Sequence, residues 1–413
     1  MGTDLTSLDP VLKIRYAKSF ENLSSRENVF YNLVKKNGRT RMIGGKHWRQ
    51  PIQIAMPGGG SSTFATALAA TGVQSDFKAF DVTRKKHYRV IKLDNEAIEA
   101  SLRGDEDSLY SAMGDLDAGM KSEMAYLNFR LYRGAGGSFA RMTNSSFATT
   151  SMTIDDPAGV WAVRQGDVIK LSANADGSSL RSGSLTVASV TRSGTSATIT
   201  TTANISTGIA AAAANDYIFL DGDAGLAMSG ISDWCPDAAP SATLFYGVDR
   251  TVEPEYLGGL RVDMTDGRSL SNGLVDMVAS LNNLGLHADT ILMHPLQGAT
   301  LSKQLEGRWV ISQASGSDGS KVASIGISCY EVNLNGDNVK IYFDSACPYK
   351  RIIATKIDTW TLFSAGELPG FITTRMGSKI YQSPTADGFE SRIGGYFNLS
   401  CSAPGNTCVA LLP

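Results

Sequence analysis

The chain has 413 residues, a formal net charge of −2 and 42% hydrophobic residues, so it carries enough apolar chain for a sizeable core and is neither polybasic nor polyacidic. Charged residues reach only 19%, against about 25% in ordinary globular chains. Glycine occupies 42 positions, more than the usual share. Surfaces that face other protein and frequent bends would account for both.

Residues 1–10 are polar and lack the basic-then-apolar order of a signal peptide, so export by that route is not expected. Residues 11–50 hold ten bases and two acids on a weakly apolar arm. Two strands follow, at 46–56 and 77–93, with Trp48, Ile52 and Ile54 on the first and Phe77, Phe80, Val82, Tyr88 and Val90 on the second. The tip between them, with Gly58, Gly59 and Gly60, buries little. Such a two-stranded finger is marginal alone in water, so it is expected to lie against a neighbour.

A short helix over 94–101, capped by Asp94, precedes a long one over 105–133. In the long helix Leu109, Met113, Leu116, Met120, Met124, Leu127 and Leu131 recur at steps of three and four. Asp105, Glu106 and Asp107 at its start and Arg130 and Arg133 at its end complement the helix dipole, and Gly134 stops it. Gly114 and Gly119 each weaken it by about 1 kcal/mol, so packing must hold it. Short β-like runs divided by Gly, Ser and Asn turns mark 150–223 as a small all-β module. Beyond it come a helix at 270–286, a buried strand at 290–293 and a helix from Pro295 to about residue 306. Strands at 339–343, 351–363, 371–381 and 389–401 complete an α+β region.

Residues 50–75, 193–215 and 393–413 carry no charge. They are too rich in Gly, Ser, Thr, Asn and Pro to span a membrane, and are expected to be covered by other protein or to remain polar loops. Five cysteines (Cys235, Cys329, Cys347, Cys401, Cys408), an odd number without a CxxC pair, read as reduced thiols.

Chemistry is sparse. There are four histidines and no HExxH, P-loop or GxSxG pattern, so no catalytic, cofactor-binding or metal residue is assigned. Asp115 with Asp117, and Asp155 with Asp156, read as charged faces and turns rather than acid/base pairs. The tripeptide Arg103, Gly104, Asp105 reads as a helix boundary.

The order of basic arm, β finger, short helix, long helix with a glycine stop, β segment and mixed domain resembles the major capsid proteins of tailed bacteriophages, the Hong Kong ninety-seven fold family. Further likeness lies in Gly247 to Arg250, in the run from His287 to Pro295, and near the C-terminus in Asp358 to Trp360, Asp387 to Arg392 and Tyr396 to Leu399. The resemblance implies an α+β capsid fold: an N-terminal arm (1–45), an extended loop (46–93), a peripheral domain with the spine helix (94–149), an inserted β-barrel-like module (150–223), a mainly axial domain (224–345) and return strands (346–413).

It also implies a structural, non-enzymatic virion protein, made in the bacterial host cytoplasm, that assembles as hexamers and pentamers into an icosahedral shell around double-stranded DNA. Its implied partners are copies of itself, a portal protein, a separate scaffolding protein, the packaged DNA through non-specific contact, and a decoration protein, with no membrane. Candidate assembly-interface residues are Arg39, Arg41, Trp48, Arg49, Gly58, Gly59, Gly60, Phe64, Arg84, Lys85 and Lys86. Some relatives cross-link a loop lysine to a neighbour's asparagine; Lys46, Lys78, Lys85 and Asn398 have that chemistry, and no pair is assigned. The competing readings are an encapsulin-like nanocompartment shell, a carboxylate-using hydrolase with a β-type binding module, and a secreted adhesin.

Overall fold

The computed structural model describes residues 28–36, 38, 40–42, 44–45, 47–55, 58–69, 75–95, 112–161, 163–305, 329–334, 336–373, 380–383 and 387–413. Most of the helix expected at 94–101, the first turns of the long helix (105–111), the tripeptide at 103–105, Arg39 and Lys46 lie outside the described residues.

The first described elements are α1 (Val29–Lys36), β1 (Thr40–Met42), β2 (His47–Ala55), α2 (Phe64–Ala69), β3 (Asp76–Thr83), β4 (Lys85–Asp94) and α3 (Ala112–Leu131). There follow β5 (Ala140–Arg141), β6 (Ser151–Ile154), β7 (Val168–Ser172), β8 (Leu185–Ser193), β9 (Ser196–Thr201), α4 (Ile205–Gly208) and β10 (Tyr217–Leu220). Next are α5 (Ile231–Trp234), α6 (Pro254–Gly258), β11 (Leu260–Asp263), α7 (Leu270–Asn283), β12 (Thr290–Met293) and α8 (Pro295–Leu305). The last strands are β13 (Cys329–Leu334), β14 (Asp337–Phe343), β15 (Arg351–Thr355), β16 (Trp360–Ser364), β17 (Gly370–Phe371), β18 (Ile380–Gln382), β19 (Gly388–Cys401) and β20 (Thr407–Leu411).

The residues cluster into two units. The larger holds described residues within Asn28–Lys86, Tyr126–Glu367 and Tyr396–Pro413. In it, β5, β10, β7, β8, β9 and β6 form a six-stranded sheet in that order. A bridge from Met142 to Ile154 and a bond from the Asp155 N–H to the Arg141 carbonyl (3.0 Å) join the two ends, closing a barrel. Alternation fills it: Met152, Ile154, Ile169, Leu171, Leu185, Val187, Ile199 and Ile218 are all buried. The module thus begins ten residues before the expected boundary, because its incoming strand β5 pairs with its outgoing strand β10.

A second six-stranded sheet, β11-β20-β15-β12-β14-β13, carries the other large core. Leu270, Leu274, Met277, Val278 and Leu281 on one face of α7 bury against Ile291, Ile341, Ile352 and Ala410. Its helical spacing was legible in the sequence, and Ser269 caps its start by accepting from the Asn272 N–H at 3.3 Å. The central strand β20 was not expected. It lies in the charge-free run 393–413, which this chain itself buries, and not another protein: Cys408, Val409 and Ala410 are fully covered within the sheet.

The strand expected at 351–363 is two strands in different sheets. β15 pairs with β12 and β20, whereas β16 pairs with β1 and with the end of β19. Between them the chain turns at residues Ile357–Thr359, where the Asp289 carboxylate accepts from the Ile357 N–H (3.1 Å) and the Trp360 indole N–H donates to the Thr355 hydroxyl (2.7 Å). Both strands are buried, so the apolar pattern runs on through the corner. Likewise 77–93 is two strands broken at Arg84: β3 pairs with β2, and β4 joins β19.

The smaller unit holds described residues within His87–Ala125 and Leu368–Gly395. There β17 and β18 pair with the first half of β19 and cover the described ends of the strand expected at 371–381, residues 374–379 lying outside the described set. Gly119 of α3 sits against the sheet: a Cβ there would lie 2.1 Å from Ile91 Cδ1, which is why a helix-weakening residue occupies the face. The buried Glu123 carboxylate on the same helix takes His87 Nδ1 at 2.5 Å and Arg89 Nε at 3.1 Å.

Candidate assembly interface

Strands β2 and β3 pair in antiparallel register from His47 opposite Thr83 to Ala55 opposite Asp76. Among the described residues the ribbon is anchored at its base. Phe80 and Val82 are fully buried, Phe80 meeting Trp234 edge-on at 5.0 Å. The Asp81 N–H donates to the Tyr246 carbonyl (3.0 Å) and the Asn398 side-chain amide donates to the Thr83 carbonyl (2.7 Å). Toward the other end burial stops. Phe77 is 66% exposed, and α2 at the tip leaves Phe64 82% and Leu68 62% exposed. Large apolar side chains so close together and uncovered mark a surface made to be covered.

The expected interface residues divide accordingly. Phe64 is the most exposed large hydrophobic residue among those described, and Gly58 and Gly60 are exposed beside it; Gly59 has φ of +89°, a turn conformation glycine adopts without strain. Arg49 reaches across the ribbon and grips Asp81 with two bonds of 2.7 and 2.9 Å. That pairing lowers the Asp81 carboxyl and raises the Arg49 guanidinium from their ordinary values.

Trp48 turns inward: it stacks on Phe363 with ring centres 6.3 Å apart, under the Arg41 guanidinium at 6.0 Å. Arg84 donates to the Gly45 carbonyl, Lys85 to the Gly225 carbonyl (3.3 Å), and Lys86 lies 6.0 Å over the Tyr396 ring. Arg41, Trp48, Arg84, Lys85 and Lys86 therefore hold the base of the ribbon to its own chain. Leu68 was not among the expected residues; the signal that could have found it is the charge-free run 50–75 around it.

Asn398 is fully buried, accepting from the Ser229 N–H (2.9 Å) while donating to Thr83 and to the Tyr246 hydroxyl (3.0 Å). Its amide serves this chain's own fold and is closed to a lysine of another.

Charged clamps tie the barrel to the elements around it in the same unit. Arg130 at the end of α3 is buried and bonds the Tyr126 hydroxyl (2.9 Å), the Gly137 carbonyl (2.8 Å) and the Asp223 carboxylate. The Asp156 carboxylate accepts from Arg133 (2.6 Å) and from the Tyr349 N–H (3.1 Å). These clamps border a cleft of about 760 Å³ lined by Arg133, Asp155, Asp233, Asp237 and Arg351 among others. Burial raises the Asp155 and Asp233 carboxyls, and Asp233 also accepts from the Ala135 N–H at 2.6 Å. Arg351 bonds Asp237 at 2.9 Å. In the cleft Arg133 pairs with Asp156 and Arg351 with Asp237, whereas Asp155 and Asp233 accept from backbone N–H groups. Among the described residues no cluster of metal-ligating side chains occurs, and no helix is long and apolar enough to cross a membrane.

No protein-family model matches the sequence, and no curated protein sequence matches it significantly. Solved structures do match. A chain of the capsid asymmetric unit of cyanophage A-1(L) is 12% identical, with 97% of each chain covered and a TM-score of 0.57. This chain has the phage capsid fold. Looser likenesses are to a Microbacterium phage Oxtober96 chain (8% identical, 100% of each chain, TM-score 0.48) and to the capsid of a native GTA particle (9% identical, 98% of this chain and 96% of that one, TM-score 0.47). A capsid fold, of Hong Kong ninety-seven type, is the fold class that the resemblance in the sequence implied.

Proposed function

We propose that this protein is the major structural subunit of a phage capsid shell, assembling with copies of itself as hexamers and pentamers around double-stranded DNA. The observation that carries the reading is the ribbon: a long arm with a buried base whose charge-free tip exposes Phe64, Leu68 and Phe77. An isolated hairpin of this kind gains little by itself, and covering its tip with a second copy supplies the missing burial. Self-association of one repeated surface is also the economical way to build a closed shell.

In this reading the sheet centred on β15 and β20 with α7 and α8 is the axial domain, and α3 with the sheet of β19 is the peripheral one. Gly58, Gly60, Phe64, Leu68 and Phe77 make the contact between copies, while Arg41, Trp48, Arg84, Lys85 and Lys86 brace the ribbon from within. Portal, scaffold and decoration proteins would join at surfaces of the assembled shell.

The test is negative-stain electron microscopy with light-scattering mass on the protein expressed with its neighbouring genes. Closed angular particles are expected. A uniform species at the monomer mass of about 44 kDa under every condition would overturn the reading.

A further inference from the structure

We propose that Asp344 and Asn128 form a latch for the helix α1, so that this helix is released without opening the sheets beneath. The inference rests on geometry alone and does not depend on the shell reading.

The first N–H groups of any helix lack partners within it, and α1 has no acidic residue in its first turn to supply one. Here the acceptors come from far along the chain. The Phe30 N–H donates to Asp344 Oδ2 at 3.4 Å and the Tyr31 N–H to Asn128 Oδ1 at 3.0 Å, across sequence separations of 314 and 97 residues. Asn128 lies on α3 and Asp344 directly follows β14, so a helix, a strand end and α1 meet at one point.

The same carboxylate takes Asn128 Nδ2 at 3.0 Å and the Tyr132 hydroxyl at 2.8 Å on Oδ2, and the Ala346 N–H at 2.9 Å on Oδ1. Its partners are thus an amide, a hydroxyl and two backbone N–H groups, all neutral. The titratable groups that face it, Tyr132 and Cys347, are both held neutral by burial. Desolvation likewise pushes the Asp344 carboxyl upward, and the negative charge is favoured by the positive end of α1.

An eight-residue helix is marginal by itself, so α1 depends on the burial of Phe30, Tyr31 and Val34 and on this knot. Converting Asp344 to asparagine singles out the latch. The new NH2 group must replace one oxygen. At the Oδ1 position it would face the Ala346 N–H, donor against donor, at 2.9 Å. At the Oδ2 position the Tyr132 hydroxyl can turn and accept, while the Phe30 contact and the 3.0 Å bond from Asn128 Nδ2 are both lost, leaving Asn128 its 3.3 Å bond to Oδ1. The second placement keeps the Ala346 and Tyr132 ties, so the substitution cuts the two bonds that make the latch, those of Phe30 and Asn128, and spares the rest.

The experiment is hydrogen exchange of the full-length protein, comparing wild type with Asp344→Asn and, from the other side of the knot, Asn128→Ala. Amides of Val29–Lys36 are expected to exchange at least tenfold faster in both variants, with those of Arg351–Thr355 and Thr290–Met293 unchanged. Trypsin cleavage at Lys35 and Lys36 should accelerate in parallel. Unchanged exchange in α1, a uniform rise in all three segments, or failure of both variants to fold would each overturn the latch, since the knot would then be irrelevant to α1 or part of the global core.

Discussion

The ribbon β2–β3 and the barrel of residues 140–220 are both antiparallel, both rich in small and β-branched residues, and each contains or adjoins a long stretch without charge. Their fates differ because of closure. The barrel's first and last strands bond to each other, so its backbone groups are paired and its alternating apolar face is enclosed. Among the described residues the ribbon's strands pair with each other and its base is held by the chain, while its apolar residues emerge exposed at the tip. Similar local chemistry therefore gives a self-sufficient module in one place and a surface awaiting a partner in the other; a free end, not composition, makes the difference.

The comparison can be broken most forcefully at the barrel's clamp. Arg130→Leu leaves the Asp223 carboxylate without its cation, held by the Tyr126 hydroxyl (2.6 Å), and is expected to cost about 3 kcal/mol in denaturant unfolding; a loss under about 1 kcal/mol would mean that the clamp does not hold the barrel. Within the barrel, Leu171→Ala removes a fully buried side chain and should cost about 2–5 kcal/mol, with any shell defect following from stability alone. At the tip the order of effects reverses. Phe64→Ser should alter the stability of the unassembled protein by less than about 0.5 kcal/mol, because the side chain is already in water, yet reduce particle yield at least tenfold by electron microscopy. Equal loss of stability at Leu171 and Phe64 would erase the distinction between the two regions.

Much of the architecture was legible. The three-and-four spacing from Met113 to Leu131 marked α3, the stripe from Leu270 to Leu281 marked α7, and the turn-rich texture after Thr150 marked the barrel. Gly119 read as a weakness and is instead a contact surface, since only the folded helix brings Ile91 beside it. On the ribbon, Phe64 and the glycines were legible as an exposed tip. Trp48 and the bases at 84–86 were not legible as internal braces, because an aromatic or cationic side chain on a strand carries no mark of which neighbour it will meet.

The sequence by itself determined the strongly periodic segments, such as α3 and α7, since periodicity is a local property written in adjacent residues. Tertiary structure alone decided where strands change sheets, at Arg84 and at residues 356–359, and that the uncharged run 393–413 belongs to this chain's own core. Those outcomes depend on partners such as Asn398 with Thr83 and Asp289 with Ile357, hundreds or tens of residues apart, and no local pattern records a hydrogen bond that only the closed fold can make.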